Sequence, residues 1–196
     1  MNSPTLPHAP SVAPSSTPME PVLPLVFRAL AFAAFKHRDQ RRKDAEASPY
    51  INHPIALANL LVNEAAVADP VVLCAAVLHD TIEDTCTTAV ELQAEFGAEV
   101  TTIVLEVTDD KSLPHPERKQ RQIEHAPALS PGAKLVKLAD KICNLRDVVN
   151  SPPARWPIER RQAYFDWARA VVAGLRGTHP ALEGLFDQVY TQRPTA

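Results

Sequence analysis

Residues 69–85 read DPVVLCAAVLHDTIEDT, and this stretch decides the fold that we expect for the chain. Asp69 is a favourable N-cap, and Pro70 suits the first helical position because the N–H that proline lacks is unbonded there in any helix. Residues 71–78 are all apolar, so the predicted helix has no polar face and should be buried. It would deliver His79 and Asp80, two kinds of metal ligand, into the interior.

The rest of the chain also favours helices. Apolar residues recur at three- and four-residue spacing from Leu25 onward, the chain has only five glycines, and no alternating pattern typical of strands is present. Thr88 and Glu91 form a capping-box pattern for a short helix that should stop at Gly97. Residues 81–87 then become the connecting turn. We therefore predict an all-α protein, a compact helical bundle.

A long central helix is predicted over residues 131–150, where apolar side chains form one seam and extend around much of the circumference. Asp140 and Asn144 are four residues apart and so share a face, with Lys137 close to it. A carboxylate in such a helix needs a cation, a metal or several donors, because an unpaired buried charge is very costly. Lys137 or Lys141 is a candidate structural partner.

The domain that we predict covers residues 24–193, because a chain of 196 residues with 45% hydrophobic composition suffices for one core. Helices over 158–175 and 180–189 should complete it. Residues 1–23 are rich in proline, serine and threonine, a composition typical of a disordered tail.

The overall composition excludes several classes of protein. The net charge of −3 provides no global attraction for nucleic acid. Pro24 and Arg28 interrupt the first apolar run, so neither a signal peptide nor a membrane span fits. Three cysteines without a C-x-x-C motif are the odd count expected of a reduced, cytoplasmic protein.

Four residues form a candidate metal site: His53, His79, Asp80 and Asp140. His53 lies at another predicted helix start, Asn52-His53-Pro54. Two imidazoles and two carboxylates without a thiolate suit Mn²⁺, Fe²⁺ or Zn²⁺. Taken singly, each residue has an ordinary structural explanation, such as a helix cap or an ion pair, and sequence separation cannot show that they meet.

Two carboxylates and a basic run each have two interpretations. Glu83 and Asp84 either belong to a solvated turn or, lying four residues after His79 and Asp80, align the attacking water and take its proton. The run of three cations from 41 to 43 is either an exposed charged loop or a clamp for a phosphorylated ligand, a role that suits the arginine fork.

Three residues near the start of the helix after 157 are also ambiguous. Trp156, Arg160 and Tyr164 recur at four-residue spacing. The two aromatic side chains are either core packing or part of a ligand pocket, and Arg160 is a candidate anion contact.

The chain resembles the HD-domain metal-dependent phosphohydrolases and, among them, the RelA/SpoT-type alarmone hydrolases, especially the stand-alone metazoan branch. The resembling stretches cover most of residues 25–193: RRKDAEASPYINHP (41–54), AAVLHDTIEDT (75–85), FGAEV (96–100), EVTDDKSLP (106–114), PGAKLVKLADKICNLRD (131–147) and YFDWA (164–168). The segment from 148 to 155, with Pro152 and Pro153, departs from the family pattern.

The resemblance implies a helical domain that holds one Mn²⁺ and removes the 3′-pyrophosphate of guanosine tetra- or pentaphosphate, leaving GDP or GTP. The chain has no room for the synthetase half of long RelA/SpoT proteins. The implied metal ligands are His53, His79, Asp80 and Asp140; the catalytic pair is Glu83 and Asp84; the substrate contacts are Arg42, Lys43, Asn144, Trp156, Arg160 and Tyr164, to which we add Lys137.

Three alternatives remain open at this point. The 2′-phosphate of NADPH is a second candidate substrate, which the metazoan relatives also hydrolyse. A catalytically silent nucleotide sensor would use the pocket only for binding, although the intact Glu83-Asp84 pair argues against it. A general deoxynucleotide phosphatase is disfavoured because Arg42-Lys43 and the DDKSLP stretch belong to the alarmone subgroup.

Overall fold

Helices form almost all of the regular structure in residues 22–195, the part of the chain that the computed structural model describes. They are α1 (Val22–Lys36), α2 (Asn52–Asn59), α3 (Pro70–Leu78), α4 (Thr81–Asp84), α5 (Ala89–Val107), α6 (His115–His125), α7 (Pro131–Asn150), α8 (Ile158–Ala173) and α9 (Pro180–Tyr190). A π-helical turn (Leu60–Glu64) extends α2, and a 3₁₀ turn (Ala126–Ala128) follows α6. The all-α prediction is confirmed.

Helix α3 is the buried element that the sequence predicted. The Asp69 carboxylate accepts hydrogen bonds from Val71 N (2.8 Å) and Val72 N (3.4 Å), with Pro70 at the first helical position. Every residue from 72 to 78 is buried, and the helix packs against α1, α2, α5 and α7. Because apolar contacts surround α3, its C-terminal end is fixed inside the molecule.

Helix α7 is the second central element and has the predicted bounds. The Ser130 hydroxyl caps it by accepting a hydrogen bond from Ala133 N (3.3 Å). The helix packs against α2, α3, α5, α8 and α9. Its buried side chains include the charged residues Lys137 and Lys141, so this helix brings polar groups into the core.

The loop between α1 and α2 folds back on itself. Arg41 and Pro49 form an isolated antiparallel bridge, and Arg42 N donates to Ser48 O (2.9 Å). Tyr50 N donates to Gln40 O (3.1 Å). These backbone contacts fix Gln40 and Tyr50 relative to the start of α2, beside His53.

Two details were not predicted from the sequence. The first segment of α5 is interrupted at Gly97, as predicted, with a positive φ (82°) and non-helical backbone angles, but a second helical segment follows at once and runs to Val107. Residues of this second segment such as Val100 and Val104 are buried in the core. Residues 81–87 were predicted as a turn, yet 81–84 form the short helix α4. There the Thr81 hydroxyl donates to Leu78 O (2.7 Å), which continues the helical path of α3.

The tail prediction falls mainly outside the described residues, since residues 1–21 are not among them. Helix α1 begins at Val22, two residues before the predicted start of the domain at residue 24. Among residues 22–195 we find no helix with the length and apolarity that crossing a membrane requires.

Candidate active site

His79 and Asp80 lie at the junction of α3 and α4, where the chain leaves the core. The His79 Nδ1–H donates to Ala76 O (2.8 Å). This bond uses Nδ1, so Nε2 is the ring nitrogen that faces the cluster, and that atom is buried without a hydrogen-bond partner. It lies 2.9 Å from Asp80 Oδ2, but without the angle of a hydrogen bond, and 3.8 Å from Asp140 Oδ1.

The four predicted metal ligands converge from three helical regions. His53 at the start of α2 places its ring 5.3 Å from that of His79, and its Nε2 lies 3.2 Å from Asp140 Oδ1 on α7. His53, His79 and Asp80 each offer a ligand atom within 4.8 Å of the others. The His53 Nδ1 atom is also buried without a hydrogen-bond partner.

The electrostatics of this cluster suit a bound cation. Burial opposes the charge on His79, but the Asp80 and Asp140 carboxylates outweigh it and raise the His79 pKa to about 9. Burial likewise opposes ionisation of Asp80, yet the neighbouring imidazoles hold its pKa below the ordinary value. The unpaired Nε2 of His79, the Nε2 of His53 beside Asp140 and the ionised carboxylates therefore fit a divalent metal ion that binds them all.

Asp140 is held in place by its neighbours on α7. Lys141 Nζ donates to Oδ2 (3.0 Å), and Asn144 Nδ2 donates to Oδ1 (2.6 Å). Lys137, the other candidate partner, instead donates to Val107 O (2.8 Å). Lys141 is thus the structural partner of Asp140, while Lys137 lines the same cavity.

Glu83 and Asp84 lie on α4, next to the cluster. Glu83 Oε2 accepts a hydrogen bond from Asp109 N (2.9 Å), and burial, with the charge of Asp80 adding to it, raises the Glu83 pKa to about 7. Asp84 accepts hydrogen bonds from Gln40 Nε2 (2.7 Å) and from the Lys111 ammonium. A carboxyl group with a pKa near neutrality is suited to proton transfer.

Arg42 and Lys43 of the basic run each have a structural contact and also line the cleft. The Arg42 guanidinium forms an ion pair with Asp147 and lies 5.6 Å from the centre of the Tyr50 ring. Lys43 accepts a backbone hydrogen bond from Ala154 (3.0 Å), which joins it to the divergent segment 148–155. Both Arg42 and Lys43 line the outer cleft.

An aromatic wall forms the far side of the cleft. Arg160 stacks on Trp156, with the guanidinium carbon 4.5 Å from the ring centre, and the Trp156 and Tyr164 rings are 5.3 Å apart. Trp156 and Tyr164 are partly buried and Arg160 is exposed, and all three line the cleft. The wall has the flat surfaces on which a planar base stacks.

Tyr50 was named in the sequence only as a nearby face or hydroxyl, and the structure gives it a defined contact. Its hydroxyl donates a hydrogen bond to Asp80 Oδ2. Burial, together with the charge of Asp80, raises the Tyr50 pKa, so the hydroxyl keeps its proton and remains a donor. Tyr50 thereby orients one of the candidate metal ligands.

Three residues of α6 that line the cavity, a histidine and two cations, were not among the residues predicted from the sequence. His115, Arg118 and Lys119 line both parts of the cavity. Lys119 lies against the rings of Trp167 (4.6 Å) and Tyr164 (5.3 Å), and burial and the nearby Lys141 lower its pKa. The only signal in the sequence was the basic character of residues 115–121, which resembles any solvated helix.

The cationic wall is the name we use for Arg118, Lys119, Arg160 and Lys43. Within residues 22–195, none of the four forms an ion pair with a carboxylate. An inner cavity of about 200 Å³ contains the His-Asp cluster, and an adjoining outer cleft of about 790 Å³ contains Trp156 and all of the wall. The space suits a nucleotide, and the uncompensated cations suit phosphate groups.

The comparisons with known proteins agree with this geometry. A family model described as HD domain matches residues 29–164. Guanosine-3′,5′-bis(diphosphate) 3′-pyrophosphohydrolase MESH1 from Mus musculus is 56% identical over 168 residues, which are 86% of this chain and 94% of that protein. The Homo sapiens protein of the same name gives the same values.

A solved structure is similar over nearly its whole length. It belongs to work on a metazoan ortholog of SpoT that hydrolyzes ppGpp and plays a role in starvation responses. It matches with a TM-score of 0.84 and 47% sequence identity, and covers 91% of this chain and 98% of that chain. The chain therefore belongs to the HD-domain family and, within it, to the RelA/SpoT-type hydrolases that include the MESH1 proteins.

Proposed function

We propose that this protein is a metal-dependent hydrolase that removes the 3′-diphosphate of guanosine 3′,5′-bis(diphosphate), or of the corresponding pentaphosphate. The products are GDP or GTP and pyrophosphate. The observation that carries the proposal is the opposition of two groups in one cavity: the His-Asp cluster with Glu83 on one side, and the cationic wall on the other. The first suits hydrolysis and the second suits a substrate with several phosphates.

The metal site consists of His53, His79, Asp80 and Asp140. A divalent ion bound there supplies Lewis-acid polarisation and makes water a better nucleophile at neutral pH. The absence of a thiolate and the mixture of imidazole and carboxylate ligands favour Mn²⁺ over metals that prefer sulfur. Tyr50 and Asn144 keep Asp80 and Asp140 in fixed orientations through their hydrogen bonds.

Glu83 acts as the general base. Water attacks the phosphorus that is bonded to the ribose 3′-oxygen, Glu83 takes the proton, and the bond from that phosphorus to the 3′-oxygen breaks. The leaving ribose 3′-oxygen then takes up the proton that Glu83 accepted from the water, so that atoms and charge balance and Glu83 is again ionised. Asp84 helps align the water, and its contacts with Gln40 and Lys111 hold the carboxylate still.

The remaining substrate contacts follow from the lining of the cleft. The base lies between Arg42 and the aromatic wall, and Lys43, Arg160 and Lys119 neutralise phosphate oxygens. Lys137, buried beside the cluster, is close enough to the inner cavity to contribute its charge. A cytoplasmic location is part of the proposal, because a reducing compartment suits three cysteines without a disulfide among them.

The first experiment incubates metal-free protein with guanosine tetraphosphate, with and without Mn²⁺, and separates the nucleotides by anion-exchange chromatography. GDP that forms only with Mn²⁺ supports the proposal. Asp80→Ala should lose metal and turnover together, whereas Asp187→Ala, which removes an exposed carboxylate paired with Arg176, should keep both. Intact nucleotide in the presence of bound Mn²⁺ would reject this substrate.

NADPH is tested in the same experiment, since its 2′-phosphate is also a ribose phosphate beside a purine. A larger kcat/KM for NADPH than for guanosine tetraphosphate would make phosphate release from NADPH the main reaction. Tight binding of either nucleotide without product would instead identify a silent sensor.

A further inference from the structure

Asp84 receives a hydrogen bond from a residue far away in the sequence. The Gln40 Nε2 group donates to Asp84 Oδ2 at 2.7 Å, and the Lys111 ammonium contacts the other oxygen. Gln40 is held by its own backbone, because its carbonyl accepts from Tyr50 N (3.1 Å) and its N–H donates to His37 O (2.9 Å). The Asp84 side chain is therefore fixed from the α1–α2 loop.

The orientation of the Gln40 amide determines the state of His37. An ionised carboxylate only accepts hydrogen bonds, so the Gln40 amide must turn its nitrogen toward Asp84 and its oxygen toward His37. His37 Nδ1 lies 2.6 Å from that oxygen and must carry the proton. One chain of bonds thus runs from the His37 Nδ1–H through Gln40 to Asp84.

Packing alone does not account for a histidine at position 37. The side chain is 2% exposed, and its Nε2 atom is buried without a hydrogen-bond partner. A buried polar atom without a partner lowers stability, so an apolar residue would suit this site better. The ring also lies 4.8 Å from that of Tyr50, whose hydroxyl contacts Asp80.

We infer that His37 and Gln40 are positioning residues, which orient the Asp84 carboxylate for the hydrolytic step. This inference rests on the proposed function. His37 does not itself line the cavity and has no hydrogen bond to Asp84, so its connection to that carboxylate runs through Gln40. The chemistry requires a donor at the place of Nδ1, and no other feature of the imidazole ring.

Matched substitutions separate the donor from the bulk of the ring. In His37→Asn the amide nitrogen takes the place of Nδ1, whereas in His37→Gln it takes the place of Nε2. We expect His37→Gln and Gln40→Met to lower kcat about tenfold with KM and metal content unchanged, and His37→Asn to recover most of the loss. Equal loss of kcat in His37→Asn and His37→Gln would overturn the inference.

A double-mutant cycle with Asp84 distinguishes positioning from general destabilisation. If His37 acts through Asp84, His37→Gln should cost no further activity in an Asp84→Ala background. The same fractional loss in both backgrounds would indicate a structural role and overturn the inference. Asp39→Asn, on the same loop with an 88% exposed side chain, is the control and should leave kcat unchanged.

The cycle also separates this inference from the proposed function. Wild-type kcat in Asp84→Ala would remove Asp84 from the catalytic pair and with it the proposed function as stated. Reduced kcat in Asp84→Ala together with wild-type kcat in His37→Gln would reject only the positioning role.

A measurement without substrate completes the test. In protein with ¹⁵N-labelled histidine, the His37 Nδ1–H should give a protected proton resonance that shifts or disappears in Gln40→Met. The absence of an Nδ1-bound proton in the wild-type protein would overturn the inference whatever the activity.

Discussion

Glu83 is the residue whose environment and chemistry agree most closely. It is held by the Asp109 N–H, and burial raises its pKa to about 7 from an ordinary value of 4.5. A general base with a pKa near the working pH is deprotonated in a large fraction of the molecules and still accepts a proton readily. The same burial makes the ionised carboxylate unfavourable for folding, so activity and stability are in conflict at this residue.

For activity, Glu83→Gln should lower kcat about 100-fold or more, with metal content and KM nearly unchanged, because the amide cannot accept the proton. In the wild-type protein kcat/KM should rise with pH as Glu83 loses its proton near pH 7. Rate profiles from pH 5 to 9 check this. If kcat/KM of Glu83→Gln rises with pH in the same way, another group is responsible for the rise.

For stability, the sign follows from linkage. The folded-state pKa is raised, so the protonated form favours folding, and this contribution is lost as the pH rises from about 4.5 to about 7. Metal-free Glu83→Gln should therefore be more stable than the wild type at pH 8, by on the order of 1–2 kcal/mol after solvent screening, and nearly equal at pH 5. Thermal unfolding at both pH values tests the difference.

At the scale of single elements, helix α6 supplies the cavity with positively charged side chains, which the His-Asp cluster lacks. The helix has no buried residue and contributes little to the core, yet Lys119 and Arg118 face the cavity. The Lys119 ammonium lies over the rings of Trp167 and Tyr164. A cation held in this way loses little side-chain entropy when an anion binds.

Lys119→Met should raise KM for guanosine tetraphosphate about tenfold with a smaller effect on kcat, since it removes a charge from phosphate binding. Arg121→Met removes an equal charge from the same helix, but from an exposed pair with Glu117 at 3.2 Å, and should leave KM unchanged. Steady-state kinetics at two salt concentrations measure both. If both variants change KM equally, Lys119 contributes only to the net charge of the protein and not a specific phosphate contact.

Two glycines test packing at the level of helices. Gly184 lies within α9 with nothing within 4 Å of an added Cβ, so Gly184→Ala should stabilise the protein by about 0.5–1 kcal/mol. At Gly174, which follows α8, an added Cβ would lie 2.9 Å from Ala126 Cβ and from Pro127 Cδ. Gly174→Ala should therefore destabilise by about 1–3 kcal/mol, and chemical denaturation compares the two.

At the scale of the whole molecule, the metal site joins parts of the chain that are distant in sequence. His53 begins α2, His79 and Asp80 follow α3, and Asp140 lies in α7, the helix that packs against most of the others. An ion bound to all four links these elements in the folded state only. Metal binding should therefore increase the free energy of unfolding of the whole domain.

Saturating Mn²⁺ should raise the melting temperature of the metal-free protein. At a concentration of 100 times Kd the gain is about 2.7 kcal/mol, or roughly 5–10 °C for a chain of this size. Asp80→Ala should abolish the shift and Asp187→Ala should retain it. A shift of equal size in Asp80→Ala would place the ion elsewhere.

Local patterns were sufficient to predict much of the fold. The Asp69 cap, the buried α3 and the bounds of α7 depend on contacts within a few residues, so the sequence alone determined them. The pairing of His79 with Asp80 and the resemblance to the family indicated the candidate ligands. The interruption of α5 at Gly97 was predicted, but the second helical segment up to Val107 was not, because its burial depends on packing against other helices.

The arrangement of the site was decided by the tertiary structure. Lys137 and Lys141 are equally plausible partners of Asp140 in sequence, and only packing against Val107 directs Lys137 away. The approach of α6 to the cavity and the bond from Gln40 to Asp84 join residues far apart in the chain. Sequence patterns determine which residues can do chemistry, but which of them meet depends on the packing of whole helices, because no local spacing encodes long-range distances.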